Sequence, residues 1–301
     1  MILVTGGKGM AGKSLQKFLP DAIDAIYTSR EDYDLMDYDQ VENMFKKFNP
    51  KTVIHLAGKV GGIPDQLQHP YDFFYQNIII NSNIINACFK FKIEYLVAMS
   101  SVCVYSPEIN NFPISEELSQ YGEPDKSIYG YAYAKRMMPI QLKCLDKQFN
   151  SPMKYTVIHS SNLYGPYDCF ETNKSHVVAA LMRRFHENIN SPAVELLGTG
   201  KALRQMTFVD DLSKFIMFCL KNKPTGEINF APPENLSIKQ IAAVISSKIG
   251  FSGKILFKGG SDGVLRRDVS IEKVEKLGFH DFTSFEYGIQ KTYEWFKDNQ
   301  C

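Results

Sequence analysis

The sequence lacks the cysteine patterns of a metal site or a disulfide framework. Its six cysteines, at positions 88, 103, 144, 169, 219 and 301, include no C-x-x-C pair and no other spacing typical of metal ligands. We therefore predict no bound metal. We expect most of these thiols to be reduced and buried, because free cysteine is among the most buried residue types.

Long apolar runs and an excess of charge are also missing. The densest apolar stretch, residues 77–91, is interrupted by Asn81, Ser82, Asn83 and Asn86, and it is shorter than the ~20 residues of a membrane span. A net charge of +1 gives no reason to expect nucleic acid or an anionic membrane as a partner. Residues 1–4 lead into a glycine loop without the segments of a secretory signal, so we expect a cytoplasmic protein.

Short apolar runs alternate with helical patterns in the first half of the chain. Strands are expected at 2–4, 23–28, 53–56, 95–99 and 155–159. This alternation predicts an α/β fold, a doubly wound parallel sheet with helices on both faces. We expect a nucleotide-binding domain over 1–165 and a smaller α/β substrate lobe mainly over 166–301, with roughly 205–230 returning to the first domain.

Three glycines at a spacing of three residues follow the first predicted strand. Gly6, Gly9 and Gly12 form a G-x-x-G-x-x-G loop that contains Lys8 and leads into a helix at Met10. Glycines at such a turn allow the backbone to approach a pyrophosphate closely, and the helix N-terminus supplies amide donors. The pattern predicts a dinucleotide site.

The end of the second predicted strand selects the cofactor. NAD enzymes usually place an acidic residue there for the ribose 2′-hydroxyl, whereas this strand ends Y-T-S-R at Arg30. A guanidinium pairs well with a phosphate, and Lys8 points to the same region, so we predict NADP. Asp37 lies where an acid contacting adenine is plausible.

Tyr131 and Lys135 form a Y-x-x-x-K pair on a predicted helix, where positions i and i+4 share a face. A nearby cation favours the phenolate, which makes Tyr131 a proton donor or acceptor near neutral pH. Ser101 follows the fourth strand, at the sheet edge where ligands bind in α/β proteins. Its hydroxyl is placed to bond a substrate carbonyl.

These three elements together resemble the extended short-chain dehydrogenase/reductase family over nearly the whole chain. The resemblance implies a Rossmann sheet, a nicotinamide cofactor and a C-terminal lobe that holds a nucleotide sugar. It also implies that Ala57 and Asn162 contact the cofactor and that Lys135 holds the nicotinamide ribose.

Four further segments narrow the resemblance. They are K-V-G-G-I at 59–63, S-V-C-V-Y at 101–105, S-N-L-Y-G-P-Y-D at 161–168 with S-H-V-V at 175–178, and G-T-G-K-A-L-R-Q at 198–205. Within the family they look like the GDP-L-fucose synthases, which epimerise and reduce GDP-4-keto-6-deoxy-D-mannose with NADPH. Ser106 stands where that group usually has proline, and residues 230–235 carry two prolines where glycines are expected. These departures leave the exact sugar open.

The chemistry of a 4-keto sugar explains the residue types at 103 and 176. The carbonyl acidifies the protons on C3 and C5, so epimerisation needs a base on one face and an acid on the other. By resemblance, Cys103 is the base and His176 the acid. Ser101 and Tyr131 then stabilise the enolate oxygen, and Tyr131 protonates it when C4 is reduced.

Further residues are expected to bind the substrate. A guanidinium group suits a diphosphate because it can bond two phosphate oxygens at once, which suggests Arg183, Arg204 and Arg266. The matched segments add Lys59, Val60 and Asn162. The resemblance also suggests that the long helices at 72–91 and 131–149 pair across a two-fold axis to form a homodimer.

Alternatives remain at this point. A 4,6-dehydratase is disfavoured, because that relative carries Asp-Glu after its catalytic Ser or Thr, where this chain has Val102 and Cys103. A plain 4-reductase, or an epimerase acting at one centre as in colitose synthesis, uses the same residues and stays open. A non-catalytic NADP-binding scaffold or redox sensor is a third possibility, although such proteins tend to lose the Tyr or Lys.

Overall fold

The centre of the molecule is a six-stranded, wholly parallel sheet. The computed structural model describes residues 1–20, 22–172, 174–260 and 262–300. The strand order is β10-β5-β4-β3-β1-β2. The strands of this sheet are β1 (Ile2–Thr5), β2 (Ala25–Thr28), β3 (Thr52–His55), β4 (Tyr95–Ser101), β5 (Lys154–Ser160) and β10 (Gly226–Phe230). The prediction of a parallel α/β sheet is confirmed.

Helices cover both faces of the sheet, as its apolar strands require. The helices of the first half are α1 (Met10–Phe18), α2 (Tyr38–Phe48), α3 (Ile63–Gln68), α4 (Pro70–Lys90) and α5 (Tyr129–Phe149). One core contains buried residues of α2, α4 and α5, such as Phe45, Ile84 and Met138. The other contains Leu15 of α1 and Phe215 of α7 (Val209–Asn222). The sheet is therefore doubly wound.

A separate apolar core lies beyond the sheet. It joins α6 (Val177–Glu187), α8 (Ile238–Ile249) and α10 (Phe285–Gln300). The minor strands are β6 (Asn162–Tyr164), β7 (Ala193–Leu196), β8 (Leu203–Arg204), β9 (Met206–Phe208), β11 (Leu236–Ser237) and β12 (Lys254–Phe257), which pair as β6–β9, β7–β12 and β8–β11. A short helix, α9 (Glu272–Lys276), completes the chain order. Ser237 caps α8 with a capping box.

The sheet topology decides where a ligand binds. The order reverses beside β1, whose neighbours are β2 and β3. In open α/β sheets the ligand crevice lies outside the carboxyl ends of the strands at such a switch point. The loops after β1, β2, β3 and β4 meet there. Among the described helices, none is long and apolar enough to cross a membrane.

Candidate active site

Two glycines of the loop after β1 have no room for a side chain. Gly6 has φ +75°, and a Cβ there would lie 2.8 Å from the backbone nitrogen of Ala57. A Cβ on Gly12 would lie 2.5 Å from the carbonyl oxygen of Gly6. Gly9 is the N-cap of α1, which starts at Met10 and has no side-chain cap. The bare backbone and the helix N-terminus fit the pyrophosphate of a dinucleotide.

Charged side chains surround the end of β2. Lys8 forms an ion pair with Glu31, and the carboxylate of Asp32 accepts bonds from the backbone and hydroxyl of Ser29. Arg30 is exposed, and no ion pair occupies its guanidinium among the residues described. This cation fits the 2′-phosphate of NADP.

Asp37 has a structural role that the sequence did not indicate. One oxygen accepts bonds from the backbone of Asp39 and Gln40, and the other accepts from the Gln40 side chain. These bonds cap α2 and lower the pKa of Asp37. Contact with adenine remains a prediction for this residue.

Ser101, Cys103 and Tyr131 lie together at the carboxyl end of β4. Ser101 caps a 3₁₀ turn over Val102–Val104, and its hydroxyl accepts a bond of 3.2 Å from the Cys103 amide. Ser101 and Cys103 both lie close enough to Tyr131 to act on the titration of its hydroxyl. All three side chains are partly accessible to solvent, so they line a shared cleft.

Burial is the largest influence on the titration of Tyr131. It raises the pKa of the phenol, and Cys103 raises it further, whereas the bond with Ser101 lowers it. The Lys135 ammonium lies 5.8 Å from the centre of the Tyr131 ring, but it does not produce the lowered pKa that the sequence pattern suggests. The physical reason is that removal of water around the phenol outweighs the cation. Tyr131 is therefore a protonated donor at neutral pH.

Lys135 is itself buried. Its ammonium donates a bond of 2.9 Å to the Met99 carbonyl in β4, and burial lowers its pKa to about 8. The bond fixes α5 against the strand that carries Ser101. Two further ammonium protons remain for a ribose, because a lysine carries three donors.

His176 precedes α6 without capping it through its side chain. The residue is exposed, yet burial by surrounding protein lowers its pKa. That combination is expected of a side chain lining a deep cleft. Within the described residues, no hydrogen bond or ion pair joins it to Cys103 or Tyr131.

Two arginines of the C-terminal half, Arg204 and Arg267, lie near this cluster. Arg204 is largely buried, and its pKa is lowered first by burial and then by the charge of Arg267; Cys103 and Asp125 act on it in the opposite direction. Arg267 pairs with Asp125 at 3.5 Å. Arg204 thus lies close to Arg267, to Cys103 and to the carboxylates of Asp125 and Asp262. A pair of guanidinium groups of this kind suits an anionic ligand.

The other two predicted arginines have internal partners. Arg183 donates to the Phe170 carbonyl at 2.6 Å and approaches Glu187 at 3.5 Å. Arg266 donates two hydrogen bonds to the Asp268 carboxylate, at 2.5 and 3.0 Å, and 48% of the Arg266 side chain is exposed. The sequence reasoning missed Arg267 and Asp125, since spacing alone does not show which of two adjacent arginines faces inward.

The loop after β3 carries Lys59 and Val60. Asn77 of α4 holds the Lys59 backbone through two bonds of 3.0 Å, and Val60 is 64% exposed. The amide of Gly62 donates to the Lys174 carbonyl at 2.9 Å, which joins this loop to the segment before His176.

Asn162 opens β6 and pairs in register with Met206 of β9. It is partly accessible to solvent. No group of His, Cys, Asp or Glu side chains within the described residues is arranged to hold a metal ion.

Comparison with known proteins gives the family. Residues 2–231 match the model of the "NAD dependent epimerase/dehydratase family". A GDP-L-fucose synthase of Sinorhizobium fredii is 34% identical over 99% of this chain and 96% of its own. The NADP-bound GDP-L-fucose synthetase of Naegleria fowleri superposes with a TM-score of 0.90 at 30% identity, covering 99% of this chain and 92% of that one. A GDP-6-OMe-4-keto-L-xylo-heptose reductase from C. jejuni gives a TM-score of 0.91 at 25% identity, covering 99% and 98%. With its glycine loop, its parallel sheet and its Ser-Tyr-Lys set, the chain belongs to the NAD dependent epimerase/dehydratase family.

Proposed function

We propose that this protein is an NADPH-dependent enzyme that converts GDP-4-keto-6-deoxy-D-mannose to GDP-L-fucose by epimerisation at C3 and C5 and reduction at C4. The observation that carries the proposal is the cluster of a serine hydroxyl, a thiol and a protonated phenol at the end of β4. A plain dehydrogenase needs the phenol and the serine but has no use for the thiol. The full-length likeness to GDP-L-fucose synthases supports the same substrate.

In the epimerisation, the Cys103 thiolate takes the proton from the carbon next to the ketone. The C–H bond breaks, an S–H bond forms, and the electron pair moves onto the ketone oxygen. Ser101 and Tyr131 donate hydrogen bonds to that oxygen, which stabilises the enolate. The electron pair then returns from the oxygen to the carbon, which takes a proton from the imidazolium form of His176 on the opposite face. The centre inverts and His176 is left as a neutral imidazole.

In the reduction, Tyr131 gives its proton to the oxygen on C4. NADPH supplies the hydride to C4. The raised pKa of Tyr131 supports this direction, because a phenol that stays protonated at neutral pH is a donor. Lys135 orients the nicotinamide ribose and fixes α5 through Met99.

The neighbouring guanidinium groups of Arg204 and Arg267 suit the substrate diphosphate. We assign Arg204 and Arg267 to it, because a guanidinium fork matches phosphate oxygens. Lys59, Val60 and Asn162 border the sugar in this proposal. Arg183 and Arg266 contribute to substrate binding only after releasing internal partners.

The adenine half of NADP binds at the other end of the cleft. Gly6, Gly9 and Gly12 admit the pyrophosphate, with Met10 and Ala57 beside it. Arg30 and Lys8 bind the 2′-phosphate, with Asp37 near the adenine.

We also propose a homodimer in the cytoplasm. Apolar side chains on α4 and α5 are exposed, among them Phe74 (40%), Tyr75 (43%), Ile140 (38%) and Phe149 (50%). Apolar patches of this kind mark interaction sites, and two copies of the α4–α5 pair would cover each other as a four-helix interface. A reducing cytoplasm suits a reaction that needs a free thiol.

A second candidate function is reduction at C4 without epimerisation. It is favoured by the TM-score of 0.91 against the GDP-linked 4-keto-heptose reductase. The two candidates differ only in whether protons on C3 and C5 exchange.

The deciding experiment is product analysis by NMR in deuterated water, with GDP-4-keto-6-deoxy-D-mannose and NADPH. GDP-L-fucose carrying deuterium at C3 and C5 is the expected product. Deuterium at one centre indicates a single-centre epimerase/reductase, as in colitose synthesis, and reduction without deuterium indicates the plain 4-reductase. If the protein binds NADPH but consumes none with either GDP- or dTDP-linked 4-keto sugars, the result would indicate a non-catalytic NADP-binding scaffold.

A further inference from the structure

Arg136 follows Lys135 on α5 and is buried, with 3% of the residue exposed. Within the described part of the chain, no carboxylate forms an ion pair with it. Burial lowers its pKa, and a buried charge without a counter-ion is expensive unless every hydrogen bond is good. Such a residue needs a specific explanation.

All three nitrogens of the guanidinium donate to backbone carbonyls. Nε bonds to Val104 at 2.7 Å, Nη1 to Gly122 at 2.7 Å and Nη2 to Tyr121 at 3.0 Å. The fixed fork of arginine allows three such bonds at once, whereas a lysine has one nitrogen. The side chain therefore joins three segments: α5, the turn after β4, and the loop at 121–122.

The Val104 carbonyl is the important acceptor, because Val104 is the neighbour of Cys103. On the other side of Cys103, Lys135 bonds to the Met99 carbonyl at 2.9 Å. Adjacent residues of α5 thus hold both ends of the segment 99–104, which carries Ser101 and Cys103. Tyr131, one turn earlier on the same helix, lies beside Ser101 in the middle of that segment.

The third segment is held in place by packing. Gly122 has φ +57°, and a Cβ there would meet the Ser106 hydroxyl oxygen at 2.7 Å. The loop at 121–122 therefore lies directly against the chain that leaves Val104. Without the guanidinium, the buried carbonyl of Val104 would lose its donor, and the loop would lose the two bonds that join it to α5.

We propose that Arg136 is a positioning residue for Cys103: its guanidinium fixes the turn at 102–104 so that the thiol is held beside the Tyr131–Ser101 pair. The proposal rests on the proposed function of Cys103 as the base. It predicts that proton transfer at C3 and C5 depends on Arg136 more strongly than cofactor binding does, because a base acts only from within hydrogen-bond reach.

The test compares Arg136→Met, which removes every donor, with Arg136→Lys, which keeps the charge on a single nitrogen. Met138→Ala is the matched control, since Met138 is fully buried on the same helix but packs in the core between α4 and α5. Deuterium entry at C3 and C5 is measured by NMR with NADP⁺ in place of NADPH, so that no reduction occurs. Rates are expressed per folded molecule from urea titrations.

We expect Arg136→Met to lower the exchange rate at least ~10-fold, Arg136→Lys to recover part of it, and NADPH affinity to change less than ~2-fold in both. Met138→Ala should lose stability and keep its exchange rate. An exchange rate in Arg136→Met that falls no further than in Met138→Ala would overturn the proposal.

A second measurement separates this proposal from the proposed function. Hydrogen–deuterium exchange of the backbone amides at 102–105 needs no substrate. We expect it to accelerate in Arg136→Met and not in Met138→Ala. Unchanged amide exchange contradicts the positioning role whatever the enzyme does. Faster amide exchange together with a wild-type protein that exchanges no sugar protons supports the local role and rejects the proposed function.

Discussion

Lys8 forms an ion pair with Glu31, the residue after Arg30 on the turn that follows β2. The Glu31 carboxylate binds the Lys8 ammonium, to which we assign the 2′-phosphate of NADP. It therefore competes with the cofactor for Lys8.

Substitution Glu31→Gln removes the competitor. We expect NADPH to bind about two- to fivefold more tightly, which is the range for one exposed ion pair, with a smaller gain at high salt because of screening. NADH affinity should not change. Fluorescence titration of both nucleotides measures this, with Glu94→Gln as control because Glu94 forms a separate surface pair with Lys51. Equal gains for NADH and NADPH would show that Glu31 acts on something other than the phosphate.

Cys103→Ser should stop proton exchange. A hydroxyl is a far weaker base than a thiolate, so the rate of deuterium entry at C3 and C5 should fall ~100-fold or more, while NADPH affinity stays the same. Cys144→Ser is the control, because Cys144 is an exposed thiol. Deuterium entry at the wild-type rate in Cys103→Ser would refute the assignment of the base.

Tyr131→Phe should block reduction. Loss of the proton donor is expected to lower NADPH consumption ~100-fold or more, with NADPH affinity largely intact. Exchange at C3 and C5 should be less affected, because Ser101 still bonds to the enolate oxygen. Tyr133→Phe, on the same helix, should behave as wild type. Turnover that survives in Tyr131→Phe would place the donor elsewhere.

Asp168 gives a pH-dependent prediction for stability. Burial raises its pKa from 3.8 to about 7, although a bond from the Cys169 amide acts against this. The folded state then binds the proton more tightly than the unfolded state, so this group lowers the free energy of unfolding as pH rises from about 4 to 7. The free energy of unfolding of Asp168→Asn should equal that of wild type near pH 4. At pH 7.5 it should be higher than that of wild type by up to about 4 kcal/mol, at ~1.4 kcal/mol per pKa unit.

Urea denaturation at both pH values measures the effect of Asp168→Asn. Substitution of the exposed Asp146 by Asn serves as the control, and its difference from wild type should be flat with pH. A constant difference for Asp168→Asn across the range would mean that the carboxyl ionises normally in the folded protein.

Some features of the site followed from local patterns. The glycine spacing predicted the loop after β1, because a Cβ at Gly12 meets the Gly6 carbonyl whatever the rest of the chain does. The i, i+4 rule placed Tyr131 and Lys135 on one face of α5. The Ser237 cap of α8 was also readable, because capping depends on neighbours three residues away.

Other features depended on contacts between distant segments. The pKa of Tyr131 is raised rather than lowered, because burial is a property of the folded environment and not of the Y-x-x-x-K spacing. Arg267 rather than Arg266 pairs with Asp125, a partner 142 positions earlier. The buried hydrogen bonds of Arg136 could likewise not be predicted from the sequence, because an arginine that follows a lysine usually indicates a charged surface.

The sequence by itself determined the alternation of strands and helices and the glycine loop, because these depend on residue type and short-range spacing. The acid-base groups that we propose came from the resemblance to a known family. Only the tertiary structure decided which charges are paired, which groups are buried and how the turn carrying Cys103 is held. Those properties arise because segments far apart in the chain exclude water from a group or supply the carbonyls that it bonds. No local sequence pattern indicates them.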